Sequence, residues 1–491
     1  MKDLKERAIR GGGAKVFAQG ANLTLRVGSL MVLARLLNPK DFGLVGMVTA
    51  ITGVLNLFRD FGLSSAAVQQ VEVTDQQAST LFWINVMAGA GLCALLAAAS
   101  PVVAWFYREP HLLWVTVILS LGFLFNSVGI QHSAMLQRQM RFTTIAGLEV
   151  VASIASIATG IGMALAGFGY WSLAIMSIVV PLVYSCGACV ATRWTPSLPR
   201  KNSGIRAMMR FGGMVTLNSI IIYIAYNLDK VLLGRFWGAE AIGVYGRAYQ
   251  LINLPTDSLN SSVGEVAFSA LSRVQNDLDR LKSYFLKGYS LVLALTVPIT
   301  IAGAVFANDL ILVVLGPKWS ATAPIFRLLA PTILIFAMIN PLAWLLFSTG
   351  LVGRSVRIVC VIAPLAITAY LIGLPYGPKG VALAYSTVMT LWVIPHILWC
   401  VHGTMISFRD IMLAVRRPLL SGLVAAACAI GVQLLFGHLL IPVLRLAVGG
   451  IVLLGVYLGM LLYAMGQRSF YLEILRGLKR PAVKEKSLAP A

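Results

Sequence analysis

Charged residues are scarce in this chain of 491 residues, and acidic residues are scarcer than basic ones. Asp, Glu, Lys and Arg together make up 12% of the sequence, about half of the usual fraction in a soluble domain, whereas 58% is hydrophobic. This composition excludes a soluble enzyme and a disordered chain. The 39 Lys and Arg outnumber the 18 Asp and Glu and leave a formal charge of +21. So apolar a chain has almost no free surface for nucleic acid, and the basic excess therefore indicates membrane orientation.

Cysteine and histidine are also rare, with six and five residues respectively. All six cysteines fall in apolar stretches, which predicts small core residues and excludes a secreted disulfide scaffold. Cys186 and Cys189 have CxxC spacing but lack the strand-and-helix context of a redox site. His132 and His396 have no partner at metal-ligand spacing and are predicted to be core residues with satisfied hydrogen bonds. We therefore expect neither a metal site nor a catalytic arrangement.

Long apolar segments fill most of the chain. A membrane-spanning helix needs about 20 apolar residues, and a scan with a window of that length finds fourteen candidates. Gly and Pro mark many of the short connections between them. We therefore predict an all-α integral membrane protein with about fourteen transmembrane helices. The predicted spans are residues 13–37, 42–68, 79–105, 112–137, 143–167, 170–191, 210–236, 242–268, 284–306, 322–349, 356–375, 380–402, 418–438 and 440–464.

Basic residues fall mostly on one side of these spans. When the connections are assigned alternately to the two sides, 27 Lys and Arg lie on the side of both termini and six on the other. Because cytoplasmic loops collect Lys and Arg, both termini are predicted to be cytoplasmic. Arg35 and Arg235 lie at outer span ends, where we expect them to reach lipid headgroups or fix a turn rather than bind substrate.

An internal repeat relates the first part of the chain to the second. A repeat unit of six spans is even, so its two copies run through the membrane in the same direction, a plan typical of transporters. The matching positions are Val32–Arg35, Gly43 and Gly46 in the first copy and Leu232–Arg235, Gly243 and Gly246 in the second. The predicted regions are an amphipathic cytoplasmic N-terminus (1–12), an N-lobe of spans 1–6 (13–191), a basic cytoplasmic loop (192–209), a C-lobe of spans 7–12 (210–402), spans 13 and 14 with their preceding loop (403–464) and a basic cytoplasmic tail (465–491).

Polar side chains recur at helical spacing on four spans, which are the first two of each proposed repeat. A charge at mid-bilayer costs about 2.5–3.5 kcal/mol, so such residues usually face a bundle interior or a water-filled cavity. Stripes on equivalent helices predict a shared central cavity, and its mainly positive charge favours an anionic substrate. The stripes contain the cations Arg26, Arg59, Lys230 and Arg247, the amides Asn22, Asn56 and Asn253, and the acids Asp257 and Glu265.

A structural interpretation of these charges stays open beside the functional one. Intramembrane ions can pair across helices and hold a bundle together, as Arg247 with Asp257 or Arg59 with Glu265 would do. Glu149, an isolated acid on the fifth span, is either a proton-linked site or a packed, protonated group.

Five stretches of the sequence stand out as family motifs: Val32–Leu44, Asp60–Gln70, Phe82–Asn85, Leu136–Phe142 and Gly316–Trp319. They resemble the corresponding stretches of Wzx/WzxC-type oligosaccharide flippases. These proteins form the polysaccharide transport family of the multidrug/oligosaccharidyl-lipid/polysaccharide (MOP) exporter superfamily. The resemblance covers roughly residues 10–400, whereas spans 13 and 14 match only in hydropathy.

This resemblance implies a V-shaped MOP fold whose two six-helix lobes open alternately to the two sides of the bacterial inner membrane. It implies a flippase, not an enzyme, that moves undecaprenyl-diphosphate-linked oligosaccharide to the outer leaflet for exopolysaccharide, capsule or O-antigen synthesis. No cofactor is implied, and an ion gradient or the membrane potential drives transport. The expected partners are the lipid-linked oligosaccharide, membrane lipids and a polysaccharide polymerase or export complex. Nucleic acid is not expected, and the protein is expected to be a monomer.

The resemblance also suggests roles for the polar stripes. In the related lipid II flippases, arginines on the first, second and eighth helices line a cationic cavity, and Arg26, Arg59 and Arg247 lie on corresponding helices here. The predicted site residues are Arg26, Arg59, Lys230 and Arg247 for the diphosphate, Asn22, Asn56 and Asn253 for sugar hydroxyls, and Asp257, Glu265 and Glu149 as candidates for ion coupling.

Three alternative functions remain, and one of them is a scaffold without transport activity. A multidrug or small-solute exporter of the same fold would be expected to have a more acidic and aromatic cavity. A membrane-embedded glycan polymerase or ligase generally needs a sizeable periplasmic loop, but the longest outer connection predicted here, 308–322, is short.

Overall fold

The computed structural model describes residues 2–59, 74–198, 206–274, 277–436, 440–468 and 471. These residues form helices and short connections, without a β-strand. The family motif at 60–70 lies outside them. The helices are α1 (Lys2–Leu36), α2 (Pro39–Arg59), α3 (Asp75–Tyr107), α4 (Leu112–Arg138), α5 (Phe142–Leu165), α6 (Tyr170–Thr192), α7 (Arg206–Arg273), α8 (Leu278–Val305), α9 (Ala307–Val314), α10 (Thr322–Leu329), α11 (Pro331–Ser348), α12 (Val352–Gly373), α13 (Gly377–Val401), α14 (Phe408–Phe436) and α15 (Pro442–Gly459).

Helical segments of membrane-spanning length recur along the described chain. Nine segments are long and apolar enough to cross a membrane, and one of them, Gly353–Val401, contains both α12 and α13. The sequence prediction of an all-helical chain with several membrane-spanning segments is confirmed in these residues. The number of fourteen spans stays a prediction. Helices α1, α2 and α7 carry the polar stripes and are not among the nine segments.

Polar side chains define where several helices begin. At the start of α3, the Thr74 hydroxyl accepts a hydrogen bond from the Gln77 amide (3.2 Å), and the Gln77 side chain accepts one from the Thr74 amide (3.1 Å). Ser407 and Asp410 exchange equivalent bonds before α14. Each pair satisfies backbone donors that the first helical turn leaves without partners.

The chain divides into two compact units, each with closely packed helices. The first comprises the described residues of 1–250, 311–325 and 359–388. Within it, small residues bring α3, α4 and α6 into close contact: a Cβ at Gly89 would lie 2.4 Å from the Ser127 hydroxyl, and one at Gly129 would lie 2.2 Å from the Ser185 hydroxyl. Close approach at small residues is the usual mode of helix packing in membranes.

The second unit comprises the described residues of 251–310, 326–358 and 389–491. Its apolar core joins α8, α14 and α15 through residues such as Val297, Ala425 and Leu453. A polar contact adds to it: buried Asp309 accepts hydrogen bonds from Arg445 and, at 3.3 Å, from Gln433. The two C-terminal helices are thus attached to the unit by both apolar packing and a buried ion pair.

The two histidines singled out in the sequence behave as predicted. His132 and His396 are both buried. The His132 ring is hydrogen-bonded to the Thr192 hydroxyl (2.7 Å), and the His396 ring accepts a bond from the Trp392 indole (3.2 Å). The prediction of satisfied core histidines is therefore confirmed.

The prediction that all six cysteines are core residues is wrong. Cys400 is buried, but Cys186, Cys360 and Cys428 are exposed, and Cys93 and Cys189 are partly exposed. An apolar run does not distinguish the core face of a helix from its lipid-facing surface, because both are apolar.

Candidate functional site

A break in α7 marks the start of the second repeat. Gly238 has non-helical dihedral angles, with φ 81° and ψ −175°, so the long helix is two helices that meet at this residue. The equivalent position in the first copy is Asn38, which separates α1 from α2. Glycine suits Gly238 because a side chain is strained at a positive φ. The two copies of the repeat are therefore interrupted at the same place.

The two copies also contact each other through equivalent positions. A Cβ at Gly43 would lie 1.7 Å from the Ala239 carbonyl oxygen, and one at Gly243 would lie 1.9 Å from the Pro39 carbonyl oxygen. Pro39 and Ala239 are equivalent in the repeat, as are the two glycines, so the contact is reciprocal, as at a two-fold interface. We call this contact the glycine crossing. No side chain larger than hydrogen fits at either glycine without a backbone shift.

Hydrogen bonds hold the chain around the glycine crossing. The Tyr107 hydroxyl donates to the Met47 carbonyl (3.3 Å), and the Trp319 indole donates to the Ala34 carbonyl (2.8 Å). Arg35 donates to the Val313 carbonyl at 2.9 Å. This hydrogen bond joins the end of α1 to α9, so Arg35 has a structural role here.

Two of the predicted diphosphate ligands lie on α7, on either side of the break. The Lys230 ammonium donates to the Asn227 side chain (2.7 Å) and lies 4.9 Å from the Tyr249 ring centre. The Arg247 guanidinium lies 4.6 Å from the Phe42 ring centre and donates to Gln250. Both side chains are half-buried, and neither forms an ion pair within the described residues.

The other predicted ligands lie on α1, α2 and α7. Arg26 is exposed on α1, whereas the Asn22 side-chain oxygen is buried without a hydrogen-bond partner in the described chain. Asn56 donates to the Thr52 carbonyl one turn earlier on α2 (3.1 Å), and Asn253 is half-buried on α7. The cationic cavity therefore stays a prediction.

Of the three acidic candidates, only the Glu149 side chain lies within the described residues. Glu149 is exposed on α5. The side chains of Arg59, Asp257 and Glu265 lie outside the described residues, so the proposed pairs Arg59 with Glu265 and Arg247 with Asp257 do too. Within the described residues, no group of three or more His, Cys, Asp or Glu could hold a metal ion.

A buried carboxylate beside Lys230 escaped the sequence reasoning. Asp229 has no exposed surface, and its Oδ1 accepts a hydrogen bond from the Lys230 backbone amide (2.8 Å). Its Oδ2 and the Tyr245 hydroxyl are both buried without a hydrogen-bond partner of good geometry in the described chain, and the two side chains interact electrostatically. The hydroxyls of Tyr370 and Tyr385, whose rings lie 5.3 Å apart, are also buried without hydrogen-bond partners in the described chain and interact electrostatically with Asp229. We call these four residues the Asp229 cluster.

The sequence alone does not predict that these four residues lie together. Asp229 falls one residue off the polar stripe of its span, so periodicity does not assign it to that face. Tyr370 and Tyr385 lie in two apolar segments much further along the chain. Buried polar atoms are normally hydrogen-bonded, so this concentration of unsatisfied oxygens marks a functional candidate.

Comparisons with known proteins agree with this architecture. The family model described as "Polysaccharide biosynthesis protein" matches residues 32–324. The chain belongs to this family. It is 29% identical over 304 residues to the teichuronic acid biosynthesis protein TuaB of Bacillus subtilis, covering 59% of this chain and 61% of TuaB. It is 28% identical over 395 residues to the lipopolysaccharide biosynthesis protein WzxC of Escherichia coli, covering 79% of this chain and 80% of WzxC.

Solved structures give the fold. The lipid II flippase MurJ, in an inward closed conformation, matches with a TM-score of 0.75 and 14% identity over 95% of this chain and 100% of its own. An inward-facing multidrug transporter of the MATE family matches with a TM-score of 0.62 and 14% identity, over 77% of this chain and 93% of its own. These matches show that the chain shares the fold of these two proteins. MurJ and the MATE protein are a flippase and a transporter rather than enzymes, and the apolar helices of the described chain indicate a multi-pass membrane protein.

Proposed function

We propose that this protein is a flippase that moves a lipid-linked oligosaccharide from the inner to the outer leaflet of the bacterial inner membrane. The observation that carries the proposal is the agreement of family and fold. The chain belongs to a polysaccharide biosynthesis family, and it matches a lipid flippase over the whole of that protein's length. TuaB, of which the chain covers 61%, and WzxC, of which it covers 80%, support a glycan substrate. The carrier is undecaprenyl diphosphate, and both termini are cytoplasmic.

The substrate diphosphate is bound by the cations of the polar stripes. Arg247 supports this role because it is half-buried without a carboxylate partner in the described chain. Lys230 is also half-buried, and although Asp229 lies beside it, the two side chains form no ion pair within 4 Å. A charge in an apolar surround is costly unless it is paired, and a diphosphate supplies the pairing anion. Arg26 and Arg59 complete the phosphate site, and Asn22, Asn56 and Asn253 bind sugar hydroxyls.

During alternating access, the two repeats move apart at the glycine crossing. The contact of Gly43 with Ala239 and of Gly243 with Pro39 lies at the ends of helices that the predicted topology places on the outer side. Closed as it is here, it blocks the outer entrance. Export then requires a second state in which the two repeats move apart at this contact, and the substrate shifts the balance between two populated states.

The coupling ion binds at the Asp229 cluster. Its unsatisfied carboxylate and hydroxyl oxygens suit a proton or a small cation, since oxygen atoms are the ligands that hard cations prefer. The cluster is a better candidate than Glu149, which is exposed. Asp257 and Glu265 remain candidates.

A multidrug exporter is the second candidate because a MATE transporter shares the fold. The family match favours polysaccharide export over this alternative. A glycan polymerase or ligase is the weakest candidate, since the relatives with this fold are transporters.

The proposal is tested by replacing Arg26 and Arg59 and measuring glycan export in a strain that lacks its own copy of the gene. The Arg26→Ala/Arg59→Ala double variant removes two charge-assisted contacts, each of about 1.5–3 kcal/mol. We expect glycan export to be lost while the protein still inserts, with lipid-linked oligosaccharide accumulating in the inner leaflet. The matched control is Lys379→Gln, which removes an exposed cation and leaves export intact.

Full export by the double variant would refute the phosphate site. Single repeat units accumulating on the outer face would instead indicate a polymerase. Loss of drug resistance with normal glycan export would indicate the multidrug alternative.

A further inference from the structure

A basic cleft lies in the second compact unit, and none of its residues belongs to the proposed transport pathway. It is formed by α8, α14 and the segment that follows α15, and has a volume of about 520 Å³. This falls within the usual range for small-molecule sites, about 300–1,000 Å³. Its polar lining consists of Lys287, Arg416, Arg417, Ser283, Ser290 and Gln467.

The cleft collects positive charge without a compensating acid. No described Asp or Glu lines it, and within the described residues none of its three cations has a carboxylate within 4 Å. The nearby carboxylate of Asp410 is bound instead to Lys282, at 2.7 Å, and to Ser407. Two guanidinium groups and an ammonium facing one space favour an anion with several acceptor oxygens, such as a phosphate.

The cleft is at the depth of a membrane interface. Beyond Lys287, the rest of α8 (288–305) carries no charge, and the part of α14 that follows Arg417 and Pro418 (419–436) carries none either. A helix rises about 1.5 Å per residue, so each uncharged stretch is about 27 Å long, close to the thickness of the hydrocarbon core. The three cations therefore lie where phospholipid headgroups lie.

An apolar surface continues from the cleft towards the membrane interior. Leu420 and Leu423, one to two turns beyond Arg416, are 41% and 60% exposed. Leu286 and Leu413 line the cleft itself. A ligand with a phosphate at one end and hydrocarbon at the other matches both surfaces, whereas free phosphate would match only the cations.

We propose that this cleft binds the phosphate of an anionic glycerophospholipid, with the acyl chains against α14. Basic pockets between transmembrane helices at the cytoplasmic surface are a recognised type of lipid-headgroup site. Lys287, Arg416 and Arg417 contact the phosphate, and Ser283, Ser290 and Gln467 provide further hydrogen bonds. The site is independent of the flippase proposal, because none of its residues belongs to the transport stripes.

The test compares lipid binding by the full-length protein with and without the cations. Purified protein is titrated with phosphatidylglycerol or phosphatidylcholine, and bound lipid is counted by native mass spectrometry. We expect phosphatidylglycerol to bind more tightly. Each basic residue near a membrane surface contributes about fivefold to the affinity, so Lys287→Gln/Arg416→Gln/Arg417→Gln weakens phosphatidylglycerol binding about 100-fold. Arg273→Gln/Arg280→Gln, which removes exposed cations outside the cleft, leaves it unchanged.

A second variant separates loss of charge from loss of fold. Arg416→Lys/Arg417→Lys keeps both charges and should retain at least a tenth of the wild-type affinity. Equal binding of the two lipids, or unchanged binding by the triple variant, would overturn the proposal. Inorganic phosphate that displaced the lipid at equal concentration would show a free-phosphate site instead. If the charge-preserving variant binds no better than the triple variant, the cations act on folding and the proposal fails.

Discussion

Asp229 is a carboxylate with no access to solvent, and it interacts electrostatically with the buried hydroxyl groups of Tyr245, Tyr370 and Tyr385. Its neighbour Lys230, which the sequence places on the polar stripe, is half-buried. The interactions of the carboxylate were beyond prediction, because Tyr370 and Tyr385 lie on helices distant in sequence. Periodicity gives the face of a helix on which a residue lies but not what packs against that face.

Asp229→Asn tests whether this carboxylate couples transport to an ion. The substitution keeps the side chain's size and removes a buried charge that lacks a hydrogen bond on one oxygen, so we expect the melting temperature to stay equal or rise. Export driven by an ion gradient should fall by more than tenfold, and its dependence on the gradient should disappear. Both are measured in vesicles with an imposed gradient. Asp279→Asn, a change at an exposed acid outside the proposed transport sites, is the control and should export normally. Gradient-dependent export by Asp229→Asn would exclude the coupling role.

Helix ends and helix contacts differ in how far the sequence determines them. The break between α1 and α2 was predictable from Asn38 and Pro39, since Pro favours the first position of a helix. The glycines at 43 and 243 were visible as a repeat, yet the repeat did not reveal that each faces the other copy's helix. Asp309 and Arg445 give a similar case, because these ion-paired residues are 136 positions apart. Contacts between distant segments depend on packing, which local sequence does not encode.

Gly43→Ala and Gly243→Ala test the glycine crossing at the level of the element. The added methyl groups would lie 1.7 Å and 1.9 Å from carbonyl oxygens, so the helices must separate. Overpacking of this kind costs about 1–3 kcal/mol, and we expect a lower melting temperature and reduced export from each variant. Gly246→Ala is the matched control because it lies on the same helix as Gly243 in open space. Wild-type stability and export in both crossing variants would mean that the contact has no part in the export cycle.

At the scale of the whole molecule, the helical class is predicted from the apolar composition, and the orientation in the membrane is predicted from the distribution of charge. The described part of this apolar chain has nine helical segments long and apolar enough to cross a membrane, and helices suit that environment because a backbone in lipid must satisfy its hydrogen bonds internally. The direction in which the chain crosses the membrane rests on the basic residues alone. Lys379 and Glu109 lie in connections predicted to be outside, and Arg280 and Arg409 in connections predicted to be inside.

This orientation can be tested with single cysteines introduced at those four positions in a variant without its six native cysteines. In intact cells whose outer membrane is permeabilised, a membrane-impermeant thiol reagent should label Lys379→Cys and Glu109→Cys but not Arg280→Cys or Arg409→Cys. Disrupting the inner membrane should make all four reactive, which shows that the unlabelled pair is accessible once the barrier is removed. The excess of Lys and Arg on the inner side causes this pattern, because moving cations across the membrane is opposed during insertion. The reverse pattern would place both termini outside and move the glycine crossing to the cytoplasmic entrance. Labelling of one position from each pair would mean that the number of spans between them differs from the predicted one.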